Sequence, residues 1–267
     1  MKKISVVTTT FNNPDLLRNL LESFTSDCID MFDIVVVDDK SNHDTFAEIQ
    51  IHCNAYGARL YQIKESPAFG SHVCRNIGAR EAQCEFILFI DADTFLSRRC
   101  LYGIVDKPKF HEDELYMFYT NIFVNMIDRK DGIQNYAPMP SASQKFYNKY
   151  YQYNIDNNNH MNFFIVSKKN FISVGGYDEE LFFIREGDRL IQYKLLEYLS
   201  LKRVMMPGQL NNILLGKEYK NKNNIFKENV RISAISAPDY VKVINKVISK
   251  KLDEFKFIVK GYVHVIT

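Results

Sequence analysis

Long apolar runs, a cysteine pattern and an excess of charge of one sign are all missing from this sequence. No run approaches the ~20 apolar residues that cross a bilayer, and Ile4 to Thr10, behind Met1-Lys2-Lys3, is too short and polar for a signal-peptide core. The 5 cysteines, at positions 28, 53, 74, 84 and 100, are scattered and odd in number, without a C-x-x-C spacing. They read as reduced thiols of a cytosolic protein and argue against a metal cluster. The 34 Lys and Arg residues nearly balance the 32 Asp and Glu, leaving a formal charge of +2 that gives nucleic-acid binding no support.

What is present is enough for a core. With 46% hydrophobic and 25% charged residues in 267, the chain is long and apolar enough for one large α/β domain or a domain with an appendage. Ile4 to Thr9 is a β-branched run, and the turn Asn12-Asn13-Pro14-Asp15 leads into Leu16, Leu17, Leu20, Leu21 and Phe24 at helical spacing. Ile34 to Val37 predicts a second strand, ending in Asp38-Asp39-Lys40-Ser41, then a helix over 44–55 and a third strand over 59–63. Strands alternating with helices predict a parallel sheet with right-handed crossovers. A helix over 70–80 carries Arg75 and Asn76, which could face the strand-end crevice unless Arg75 is a solvated cation.

The most informative stretch is Glu85 to Thr94. Its apolar run Phe86 to Ile90 predicts a strand buried on both faces, with Asp91 and Asp93 directly behind it. Open α/β sheets bind ligands at the carboxyl ends of their strands, and strand alternation would turn both carboxylates to one side. Two neighbouring carboxylates repel, and a divalent cation completed by phosphate oxygens is the usual relief. Alone, the pair is equally a polar strand end.

Further on, 115–124 and 162–166 predict strands and 168–173 a short helix, while Asp128 to His160 lacks a period and reads as a functional loop or lid. Gly175-Gly176 makes a turn, and Glu186-Gly187-Asp188 precedes a helix over 189–199, where Asp188 could serve merely as a cap. Beyond Gly208 come a polar loop and then, over 238–259, an apolar helical stripe flanked by lysines. Such a stripe packs on its own domain or a second subunit, or binds an anionic membrane surface.

Taken in order, Thr8-Thr9-Thr10-Phe11-Asn12, Val37-Asp38-Asp39-Lys40-Ser41, Arg75-Asn76-Ile77-Gly78, Ile90-Asp91-Ala92-Asp93 and Val174-Gly175-Gly176-Tyr177-Asp178-Glu179 resemble the family 2 inverting glycosyltransferases of GT-A fold over about the first 200 residues. The resemblance implies a mixed, mainly parallel sheet flanked by helices, spanning 1–207 as a nucleotide-binding half (1–95) and an acceptor half (96–207); beyond it, 208–267 reads as a C-terminal helical extension, a loop plus an amphipathic helix. It implies a UDP-sugar donor, with dTDP-sugars an alternative, and a glycan or lipid-linked saccharide acceptor. Thr8, Thr10 and Phe11 with Asp38 or Asp39 would hold uracil and ribose, and Arg75 would approach the diphosphate. Asp91 would contact ribose or sugar. Asp93, with Asp91, would bind Mn²⁺ or Mg²⁺, and Asn162, Gly176 and Asp178 would border the donor sugar and acceptor.

The family's base is the second acid of a Glu-Asp pair; here Glu186-Gly187-Asp188 departs from that pattern, and aligning Lys194-Leu195 with the usual Arg-Leu makes Asp188 the base and Glu186 the alternate. No histidine follows soon to act as a second metal ligand. A cytoplasmic enzyme, at the inner face of the membrane or as a homodimer, fits this reading. Two rivals stand beside it: a haloacid-dehalogenase-like phosphatase with Asp91 as nucleophile and Asp93 as general acid, and a non-catalytic protein that binds nucleotide or glycan.

Overall fold

The β-branched runs become the inner strands of one sheet because β-branched side chains suit a surface covered on both faces. The computed structural model describes residues 2–65, 70–125, 136–138, 159–179, 186–215, 254, 257 and 262–265. The chain opens with β1 (Ile4–Thr10), α1 (Pro14–Glu22), β2 (Phe32–Asp38), α2 (His43–Ala55), β3 (Arg59–Glu65), α3 (Ser71–Glu81) and β4 (Phe86–Phe89). After these come β5 (Thr94–Leu96), α4 (Arg98–Val105), β6 (Glu114–Asn125), β7 (Tyr136–Pro138), β8 (Asn159–Ser167) and α5 (Lys168–Ser173). Helix α6 (Glu186–Tyr193), β9 (Lys202–Leu215) and β10 (Tyr262–Val265) complete the described elements.

The sheet order is β10-β3-β2-β1-β4-β8-β6-β9-β5, with β7 on the flank of β6. Strands β3, β2, β1 and β4 run parallel, β8 pairs antiparallel with β4, and β6 antiparallel with β8. Strand order reverses at β1: the chain steps outward to β3, then returns to place β4 on the other side of β1. A switch of this kind opens a crevice at the carboxyl ends of the two strands, here β1 and β4.

Alternation along the strands divides the core into two layers. Ile4, Val6, Ile34, Val36 and Leu88 pack with Leu17, Leu20, Ile49, Leu101 and Ile104 on one face. On the other, Val7, Val35, Val37, Ile87 and Phe89 meet Val73, Ile77, Phe171, Ile191 and Leu195. Each such buried side chain contributes roughly 1.5–3 kcal/mol. Helix α3 lies unusually close to β1, because a Cβ on Gly78 would sit 2.2 Å from Val7 Cγ1. Among the described residues side-chain caps start three helices: Asn42 accepts from the Thr45 amide, Ser97 from Cys100 and Ser167 from Asn170, each contributing about 1 kcal/mol. The 5 cysteines are all free thiols.

The expected strands and helices up to residue 93 are present, and three features differ downstream. Strand β5 and helix α4 fill a stretch that had no assignment; Ser97 before Cys100, Leu101 and Ile104 was the signal for α4. Strand β9 crosses the boundary expected at 207/208. The chain's last described element is a strand, β10, antiparallel to β3, where only loop and helix had been expected. Of the helix expected over 238–259, only Glu254 and Phe257 are among the described residues, and most of the stretch 128–160 also lies outside them.

At the amino edge of the sheet Asp33 is fully buried and anchors β2 to its neighbours. It accepts from Ser5 Oγ at 2.6 Å, the Gln83 amide at 2.9 Å, and Arg59 Nη2 at 2.8 Å. Burial alone pushes this carboxyl up, but the bonds from Ser5, Gln83 and Arg59 reverse that and hold it below the ordinary carboxylate value. Its stabilisation is therefore present above the unfolded pKa of about 3.9 and is lost as pH falls through the lower folded value. Asp33→Asn is expected to cost roughly 3 kcal/mol at pH 7. In urea unfolding the gap to the wild type should narrow as pH drops below 4; a gap independent of pH would reject the assignment.

Candidate active site

The loops leaving β1 and β2 are built from residues that tolerate left-handed backbone or bind their own turn. Asn12 (φ 49°) and Lys40 (φ 60°) both lie in that region, a local strain that surrounding bonds must hold. The Asn12 amide donates to Ser41 Oγ at 2.8 Å, and Asn12 Oδ1 accepts from the Asn42 amide at 2.9 Å, tying the two loops together. Asp38 is buried and accepts from the Ser41 amide and hydroxyl and from Gln62 Nε2 at 3.1 Å. Burial still leaves its carboxyl above the ordinary value. Asp39 donates its amide to Thr10 O at 2.8 Å and accepts from the Gly70 amide at 2.7 Å. Both acids thus shape the loops at the carboxyl ends of β1 and β2. Phe11 is 46% exposed there, while the buried hydroxyls of Thr8 and Thr10 have no hydrogen-bond partner among the described residues.

Arg75 is not a solvated cation. It is 4% exposed, donates to Asp91 Oδ1, and lies with its guanidinium carbon 5.1 Å from the centre of the Tyr177 ring. Ion pairing and a ring face compensate a charge that would be costly to bury alone. Tyr177 comes from the Gly-Gly turn, packs edge-on against Phe89 and stacks on His72 at 5.1 Å. His72 is held neutral by burial and by the charge of Arg75, its pKa lowered to about 3. Its Nδ1 lies 3.1 Å from the Asp178 carbonyl; since a carbonyl only accepts, that nitrogen carries the proton.

The two carboxylates after β4 do not follow strand alternation. The strand stops at Phe89, and Asp91-Ala92-Asp93 form a turn in which the Thr94 amide donates to Asp91 O at 3.1 Å. The turn, rather than the pleat, brings both acids to the crevice, where each is half-buried. Arg75 already relieves part of their mutual repulsion. Among the described residues no three His, Cys, Asp or Glu side chains cluster as a cation cage. The donor set still fits Mn²⁺ or Mg²⁺, which take one or two carboxylates and complete their shell with phosphate oxygens and water.

The opposite wall is the Gly175-Gly176 turn, with φ of 75° and 64°. Asn76 clamps it from α3: its Nδ2 donates to Tyr177 O and Glu179 Oε1, each at 2.9 Å, and its Oδ1 accepts from the Tyr177 amide at 2.9 Å. Lys194 Nζ donates to Gly176 O at 2.9 Å. Asp178, half-buried, contributes its carbonyl to His72. Helix α6 starts at Glu186, so Asp188 stands inside the first turn and not at the cap. The side chains of Asn162, Glu186 and Asp188 lie outside the described part. Sequence reasoning missed the supporting roles of His72, Tyr177 and Lys194; a cation between Leu190, Ile191 and Leu195 was the one available signal.

With this geometry in hand, comparison with known proteins is direct. The family model described as "Glycosyl transferase family 2" matches residues 5–175, more than half of the chain, so the chain belongs to glycosyl transferase family 2. Its mixed, mostly parallel sheet with flanking helices is the GT-A fold. It is similar to the poly(ribitol-phosphate) beta-N-acetylglucosaminyltransferase TarS of Staphylococcus aureus, 30% identical over 103 residues, covering 38% of this chain and 18% of TarS. It is also similar to the GalNAc(5)-diNAcBac-PP-undecaprenol beta-1,3-glucosyltransferase of Campylobacter jejuni, 27% identical over 132 residues, covering 49% of this chain and 40% of that protein. The chain thus spans well under half of these relatives' lengths. Among solved structures, GalNAc-T7 with UDP, GalNAc and Mn²⁺ superposes with TM-score 0.57 at 14% identity, covering 80% of this chain and 44% of that one. S. aureus TarS 1-349 in complex with UDP gives 0.55 at 16% identity, covering 92% and 70%. The family assignment leaves the phosphatase reading without support.

A side chain at Gly176 has nowhere to go. A Cβ there would lie 2.6 Å from Asn76 Oδ1 and 2.8 Å from Phe257 Cε2, on backbone of positive φ. Gly176→Ala is expected to cost about 1–3 kcal/mol, read as a lower urea midpoint. An unaltered midpoint would show that the turn is not tightly held.

Proposed function

We propose that this protein is an inverting glycosyltransferase that moves a hexose or N-acetylhexosamine from a UDP-sugar to a glycan or lipid-linked acceptor. The observation that carries the reading is the buried Arg75, held against Asp91 and Tyr177 at the switch point beside the Asp93 turn. A fixed cation next to half-buried carboxylates matches a diphosphate and its metal. The names of the similar proteins, an N-acetylglucosaminyltransferase and a glucosyltransferase, support the same reading, as does UDP in two of the structural neighbours.

In this account the loops after β1 and β2, with Thr8, Thr10, Phe11, Asp38 and Asp39, receive uracil and ribose. Arg75 faces the diphosphate, and Asp91 orients Arg75 and borders the sugar. Asp93, with Asp91, would hold Mn²⁺ or Mg²⁺, which when bound would act as a Lewis acid toward the charge gathering on the leaving nucleotide. Asn162, Gly176 and Asp178 border sugar and acceptor. Asp188 takes the proton from the acceptor hydroxyl as that oxygen bonds to the anomeric carbon; the bond to UDP oxygen breaks, its electron pair leaves with UDP, and configuration inverts. Glu186 is the alternate base. The cytoplasmic face of a membrane, where lipid-linked acceptors are found, is the proposed place of work.

The test is UDP release by purified protein with Mn²⁺, a panel of UDP-sugars and acceptor glycans. Turnover is expected, and a folded protein that binds UDP but never releases it from a donor would favour the non-catalytic reading. Asp188→Asn should retain UDP binding and lose roughly 10²–10⁴-fold in kcat; if Glu186→Gln abolishes activity and Asp188→Asn does not, the roles are exchanged. By calorimetry, Asp93→Ala should weaken Mn²⁺-dependent UDP binding at least about tenfold, or 1.4 kcal/mol. Unchanged metal dependence would remove Asp93 from the ligand set.

A further inference from the structure

Helix α6 does not end at Tyr193 but widens into a π turn over Lys194–Tyr198. A π turn inserts a residue into the helical register, and such insertions concentrate at functional sites. Here the widening begins at a lysine that is 2% exposed. Leu190, Ile191 and Leu195 beside it are buried as well, and two of them belong to the core layer shared with Phe171, Val174 and Tyr177. A buried ammonium costs several kcal/mol unless polar partners compensate it. A methionine or leucine would pack in this stripe at no such cost, so retaining a lysine calls for something that only the charge and its donors supply.

The direction of its bond supplies it. Lys194 Nζ donates to the Gly176 carbonyl at 2.9 Å, at the residue of the turn that a Cβ would crowd out. The next residue, Tyr177, is held by Asn76 through both its amide and its carbonyl, and its ring faces the Arg75 guanidinium. His72, stacked on that ring, feels the positive charges of both Arg75 and Lys194, so the two cations flank one aromatic unit. Contact therefore passes without interruption from α6 through Lys194 to Gly176, Tyr177, Arg75 and Asp91.

We propose that Lys194 is a positioning residue that ties the helix bearing Glu186 and Asp188 to the turn beneath Arg75, and so sets where the base stands relative to the diphosphate. The inference rests on the glycosyl-transfer reading for its catalytic meaning, but the mechanical link can be measured without turnover. Misplacement by about 1 Å in such a link costs on the order of 10²-fold in rate.

The experiment compares wild type, Lys194→Met and Lys194→Arg by amide hydrogen exchange, calorimetry with UDP and Mn²⁺, and turnover per UDP-binding site. In Lys194→Met, amides of 176–177 and of 190–195 should lose protection together while β1 and β2 keep theirs. The UDP affinity should stay within about threefold, and kcat per binding site should fall roughly 10–100-fold. Lys194→Arg, which keeps charge and donors, should restore most of both. Unchanged protection in the two segments, or a loss spread equally over β1 and β2, overturns the proposal. If the wild type releases UDP from no donor yet the two segments still open together in Lys194→Met, the link stands and glycosyl transfer falls. If the wild type turns over and Lys194→Met matches it in protection and kcat, transfer stands and the link falls.

Discussion

Keeping the Arg75 guanidinium charged in a nearly dry position is the constraint on which the crevice depends. Water would solvate that charge better than any protein group, so the fold must offer a carboxylate and a polarisable ring in fixed places. Asp91 supplies the first because β4 stops two residues before it, and Tyr177 the second because the Gly-Gly turn curls back over α3. Both depend on α3 lying directly on β1, which the absence of a Cβ at Gly78 permits. One pairing thus links β1, α3 and the exit of β4 to the wall that carries the turn.

The part of the chain up to β4 was legible in the sequence for a simple reason. Its strands are short unbroken apolar runs, and its helices carry leucines at helical spacing, so local pattern and tertiary burial agree. Proline at the start of α1 and the paired glycines before Tyr177 marked their boundaries by backbone chemistry that few residues can replace. The strand-end acids at Asp38, Asp39, Asp91 and Asp93 stood out because charge directly behind a buried run has to meet something.

What the sequence hid was mostly long-range. Nothing local says that Asp38 will also accept from Gln62 on the neighbouring strand, or that Arg75 will find Asp91 sixteen residues later. Alternation was the wrong rule for Asp91 and Asp93, because the strand had already ended and a turn had taken over. Strand β5 is three residues long and pairs with β9, more than a hundred residues downstream, so no window around it carries the signal. The same holds for β10, whose partner β3 lies in the first quarter of the chain. Lys194 was read only as a marker of register, though its place among leucines and isoleucine was already a sign of burial with a purpose.

The most direct measurement of the central claim is a crystal structure of the protein with UDP and Mn²⁺. The account requires uracil over the loops after β1 and β2, the diphosphate beside Arg75 and the metal on Asp93. A nucleotide bound elsewhere, or a metal site that leaves Asp93 uncoordinated, would contradict it.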